Sequence, residues 1–115
     1  MDHIDKEHTL TVLQNAKKTE ILRLIDDTLF ILNVKLEDAS NGNASDNVTN
    51  MYRTALKNIK TFRESMNDDK IPRPSQTEGL RGAGLGLTRS FGEWCDDDEV
   101  LSSVTKLEDY YRYSY

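Results

Sequence analysis

The most apolar stretch of the chain, residues 21–36 (ILRLIDDTLFILNVKL), constrains everything around it. Leu22, Ile25, Leu29, Leu32 and Leu36 recur at spacings of 3, 4, 3 and 4, the seam of an amphipathic helix. Ile21, Leu24 and Ile31 form a second row beside that seam, and Phe30 and Val34 reach further round. One neighbouring helix cannot cover so wide an apolar surface. Two neighbours are needed, or a second copy of the chain. Leu22, Ile25, Leu29, Leu32 and Leu36 are therefore the candidate oligomer interface of a homo-oligomer in which this helix pairs with its twin.

Before this stretch, residues 1–8 read as a polar leader. Leu10, Val12, Leu13 and Ala16 begin a helical pattern, and Lys17-Lys18-Thr19-Glu20 interrupts its periodicity without breaking a helix. One helix is expected over about 9–38, its first turns packed on a different face; a short helix with a fresh start at Thr19 is the alternative. Asn41 and Gly42 suit the left-handed backbone beyond a helix end. Ser45 or Asp46 then caps a second helix over about 46–67. Its seam is cleaner: Val48, Tyr52, Ala55, Ile59, Phe62 and Met66, at spacings of 4, 3, 4, 3 and 4. Asn67-Asp68-Asp69 closes this helix and Pro72 prevents its resumption. A connection of about seven residues makes an antiparallel hairpin the default.

From about residue 70 to 96 the character changes, for both prolines and five of the six glycines fall here. An irregular stretch this long inside a compact domain is either functional or mobile. Leu80, Leu85, Leu87, Phe91 and Trp94 punctuate it. Leaving such side chains in water forgoes roughly 1.5–3 kcal/mol each, so either the chain's own hairpin or a partner's groove covers them. Leu85, Leu87, Phe91 and Trp94 mark a candidate partner-binding arm, with docking on the chain itself the favoured state. A third helix over about 97–112 follows, with Asp96 and Glu99 resembling a capping box. Its seam is Val100, Val104, Leu107 and Tyr111, and four of the five tyrosines lie in the last six residues. The expected fold is all-α: an antiparallel helical hairpin, a Gly/Pro-containing arm, and a third helix docked on the hairpin or on a neighbour.

Length and charge bound the function. A chain of 115 residues makes one domain, and with 37% apolar and 30% charged residues its core is lean. The net charge of −5 divides along the chain. Residues 1–50 are net −4, residues 51–90 net +4 and residues 91–115 net −5. This order lets the ends fold back on the middle, or leaves the middle for an anionic partner. A single cysteine, Cys95, excludes an internal disulfide and fits a reducing compartment; among Asp96, Asp97 and Asp98 it reads as buried or incidental. The charged N-terminus carries no secretory signal and residues 21–36 are too short and too charged to span a bilayer, so an intracellular, cytoplasmic protein is expected.

No catalytic, metal or cofactor signature stands out. Gly82-Ala83-Gly84-Leu85-Gly86 invites a phosphate-loop reading. It lacks the spacing and preceding strand of a dinucleotide fingerprint and the Gly-Lys-Ser/Thr of a P-loop, which leaves a flexible linker whose amides could meet an anion between Arg81 and Arg89. His3 and His8, with Asp2, Asp5 and Glu7 around them, are read as solvent-exposed rather than metal-binding. Asp26-Asp27 lacks a histidine for acid–base work, and the acids of residues 96–99 are explained by helix capping. Arg53, Lys57 and Lys60, at i, i+4 and i+7 on the second helix, are more informative. With Arg73, Arg81 and Arg89 they form a candidate anion or nucleic-acid track, although in an acidic chain a solvated face, or one answering the acidic C-terminal helix, is the favoured reading.

The expected function is accordingly non-enzymatic. It is that of a protein–protein interaction or oligomerisation module, a small intracellular regulator or adaptor whose first partner is itself. The Asn-rich, cysteine-poor make-up would not be out of place in a viral or mobile-element accessory protein. The alternative is a nucleic-acid-associated factor working through the basic face and the arm. No cofactor, membrane or small-molecule substrate is implied.

Overall fold

A computed structural model describes the backbone of residues 2–115 and the side chains of all but residues 1–8 and 43. The chain is helical, with no strand among the described residues. Four α-helices follow one another, α1 (Asp2–Asp38), α2 (Asp46–Asn67), α3 (Leu87–Gly92) and α4 (Asp98–Tyr113). A wide turn of π type, Ala39–Asn43, joins α1 to α2, and a 3-10 turn, Pro74–Gln76, interrupts the segment before α3.

The width of the apolar surface of α1 is met by two neighbours from the same chain. α2 packs along one side and α4 along the other. The pairings along α2 run antiparallel: Lys18 meets Asp69 at 3.1 Å, and Asp26 receives Arg63 through two bonds of 2.6 and 3.2 Å. Those along α4 also run antiparallel to α1. Lys35 reaches Asp97 at 2.9 Å, and the buried Thr28 hydroxyl meets Ser103 at 2.8 Å. Between the helices lie Ile21, Ile25 and Leu32 of α1, Tyr52, Ile59 and Met66 of α2, and Val100, Val104, Leu107 and Tyr111 of α4, all buried. Burial of each such side chain contributes roughly 1.5–3 kcal/mol before chain entropy is counted.

Local chemistry sets the helix ends. The Ser45 hydroxyl accepts the Val48 amide at 3.3 Å, capping α2, and Asp69 ends that helix in the left-handed conformation with φ 58°. The cap of α4 is Asp97 rather than Asp96: its carboxylate accepts the amides of Glu99 and Val100 at 3.0 and 3.2 Å. Lys35 draws that carboxylate toward α1, so a tertiary ion pair selects among three consecutive aspartates. α1 begins at Asp2, ahead of the expected start near residue 9. Neither glycine nor proline interrupts residues 2–9.

With 37 residues α1 is about 55 Å long at 1.5 Å per residue. The molecule measures 63 × 24 × 21 Å, so this one helix sets its long dimension. Residues 9–16 are exposed, and the first fully buried side chain of α1 among the described residues is Ile21.

Candidate functional site

The arm between α2 and α4 is anchored by a single carboxylate. Glu108, buried on α4, accepts the backbone amides of Leu85 at 2.7 Å, Leu87 at 3.1 Å and Thr88 at 2.9 Å. Leu87 and Thr88 open α3, so their amides have no partner within the helix, and Leu85 lies just ahead of its Gly86 cap, which is left-handed with φ 75°. A Cβ on Gly84 would lie 3.2 Å from both the Glu108 carboxylate and the Arg112 side chain, a contact those side chains would have to yield to by a few tenths of an ångström. Burial pushes the Glu108 carboxyl up, but bonds from Thr88, Leu87 and Leu85 outweigh it and hold the group below the ordinary glutamate value. The glycine loop thus does meet an anion, and that anion is the chain's own.

Further bonds seat the same segment. Arg112 donates to the Gly82 carbonyl at 2.9 Å, and the Tyr111 hydroxyl donates to the Pro72 carbonyl at 3.0 Å. Of the four arm residues singled out, Phe91 is buried and Leu85, Leu87 and Trp94 are half-buried against the core. Trp94 meets the Tyr52 ring edge-on at 5.1 Å and the Phe91 ring at 5.4 Å. Cys95, also buried, lies 3.8 Å from the Tyr52 hydroxyl. Burial first, and Cys95 second, push the Tyr52 phenol far above its ordinary value. Glu108 was missed from sequence, although it falls four residues after Val104 on the inward stripe of α4. A carboxylate there needs donors, and a glycine-rich segment is where unpaired amides are found.

The seam residues of α1 serve the chain's own core. Ile25 and Leu32 have no exposed surface in a single chain, and Leu22, Leu29 and Leu36 pack half-buried against the same cluster. What α1 leaves in solvent is different: Leu10, Val12 and Leu13 near its start, and Phe30 and Val34 on its outer side, between 48% and 70% exposed.

The basic residues divide in two. Arg73 is enclosed: its guanidinium lies 4.3 Å over the Tyr115 ring and donates to the Gln14 carbonyl at 3.3 Å. Arg53, Lys57 and Lys60 are exposed along α2 and, among the described residues, form no ion pair; Arg81 and Arg89 are likewise exposed and unpaired. The row on α2 does not answer the acidic C-terminal helix, α4. That helix packs on α1, where Lys35 meets both Asp97 and Glu99. Beside the row, a shallow groove of about 410 Å³ opens between α2 and α1.

Asp26 pairs with Arg63 and Asp27 with Arg23, and among the described residues no cluster of three His, Cys, Asp or Glu is placed to hold a metal. The side chains of His3 and His8 lie outside the described residues. No helix among the described residues is long and apolar enough to cross a membrane. In comparisons with known proteins, no family model, no curated protein and no solved structure matches the chain.

Proposed function

We propose that the chain works by binding other proteins, as a small helical regulator or adaptor, with a second copy of itself the first partner to consider. The observation that carries this reading is the outer surface of α1. Leu10 at 53%, Leu13 at 52% and Phe30 at 70% exposure stand in solvent on the helix that organises the bundle. An isolated exposed apolar residue is ordinary, but Leu10 and Leu13, one turn apart, put adjacent apolar side chains in solvent, and Phe30 adds a second exposed point further along the helix. Sedimentation equilibrium over roughly micromolar to hundred-micromolar concentration tests self-association. A concentration-dependent shift to dimer that Phe30→Glu and Leu13→Glu abolish supports it. A monomer throughout that range removes the second copy as partner.

A nucleic-acid role is the second reading, favoured by the unpaired row of Arg53, Lys57 and Lys60. Phosphate contacts through such a row give affinity that falls steeply with salt, by close to one power of salt concentration per phosphate. Absent or salt-independent binding of RNA and DNA counts against it.

A further inference from the structure

The basic row borders a feature that a phosphate track does not need. The groove between α1 and α2 is floored by Leu36 and Leu56, while Arg53, Lys57 and Lys60 rim it on the α2 side. We propose that this groove takes an acidic amphipathic segment of another protein, apolar side chains down on Leu36 and Leu56 and carboxylates against the three cations. The proposal concerns a different surface from the outer face of α1 and stands or falls separately from self-association.

Three observations lead there. The first is charge. Lys18, Arg23, Lys35 and Arg63 each hold an acid of the same chain, whereas among the described residues Arg53 meets the neutral Asn50 amide, at 3.0 Å. Among the described residues Lys57 and Lys60 have no ion-pair partner, Glu64 one turn further on included. Three aligned cations left unmatched in a chain of net charge −5 are complementary to an external anion.

The second is the floor. Binding a phosphate backbone requires cations alone, and holding single-stranded bases requires aromatic faces to stack on. The side chains lining the groove include no aromatic ring. Apolar floor and basic rim together ask for a ligand that is apolar on one side and acidic on the other.

The third is spacing. Arg53, Lys57 and Lys60 rise along about two turns of α2, roughly 10 Å, which matches carboxylates at i, i+4 and i+7 of a docked helix. The chain's own acidic run cannot fill this place. Asp97 caps α4 and pairs with Lys35, on the far side of α1.

The test uses the full chain and a fluorescein-labelled synthetic helix of about 18 residues, long enough for five turns, with leucines at i, i+3, i+4 and i+7 and glutamates elsewhere. A scrambled peptide of the same composition and a single-stranded RNA of similar charge are the comparisons. Expected are saturable binding of the amphipathic peptide, roughly tenfold tighter than either comparison, and a roughly tenfold loss on combining Lys57→Glu with Lys60→Glu while helical circular dichroism is kept. Amide shifts on peptide addition should centre on Asn33 and Thr61, at the groove edges. Equal binding of the scrambled peptide means charge alone and overturns the proposal. So do tighter binding of the RNA, no binding, or shifts confined to the arm and α4.

Discussion

The Glu108 carboxylate accepts the Leu85 amide at 2.7 Å across 23 residues of chain, and through that contact α4 holds the arm. Removing the carboxylate leaves the amides of Leu85, Leu87 and Thr88 half-enclosed without an acceptor. Glu108→Ala should lower stability by about 2–4 kcal/mol, in the range for orphaning buried donors of a charged acceptor. Trp94 should also report it, since Leu87 and Phe91 carry the arm onto the core beside it. Urea unfolding and tryptophan emission measure the two effects. Asp109→Ala, one residue on and exposed, should change neither.

The same bond sets an acid limit. The folded-state pKa of Glu108 lies below its unfolded value of about 4.3, so its contribution is fully present above that value and is lost as pH falls through the folded one. Asp97 acts in the same direction: burial raises its pKa, but the bond from Lys35 and the amides it caps lower it further, to a net value below the ordinary one. Trp94 emission should therefore stay constant from neutral pH to about pH 5 and shift toward that of water below about pH 4. Glu108→Gln, with no proton to take up at that site, should flatten this limb. An arm that opens between pH 5 and 7 would contradict the assignment.

The two sides of α1 should respond oppositely to substitution. Leu32 has no exposed surface, and Leu32→Ala should cost about 2–5 kcal/mol. Phe30 is 70% exposed, and in dilute solution Phe30→Ser should change stability by less than about 0.5 kcal/mol. Denaturant titration at two protein concentrations separates the cases. A large effect of Phe30→Ser that grows with concentration would place Phe30 in an interface between copies.

What the sequence alone determined is the helical character of the chain and the face that each of its three long helices must bury. Those properties follow from signals within a few residues of each other. The period of 3.6 in residues 21–36, the seam from Val48 to Met66, and the stripe of Val100, Val104 and Leu107 each specify a face to bury. The cap at Ser45 is equally local. Only the tertiary structure decided which neighbours those faces receive. The breadth of the α1 surface required two partners, and periodicity alone does not distinguish a second copy from α4 folding back. Closure of the chain placed Lys35 beside Asp97, and that pairing chose the α4 cap from three adjacent aspartates. It also brought Glu108 to the glycine loop. The donors and the acceptor of that contact lie 20 to 23 residues apart, and neither carries a pattern that names the other. A carboxylate on an inward stripe announces that it needs donors, but which donors reach it depends on the path of the whole arm.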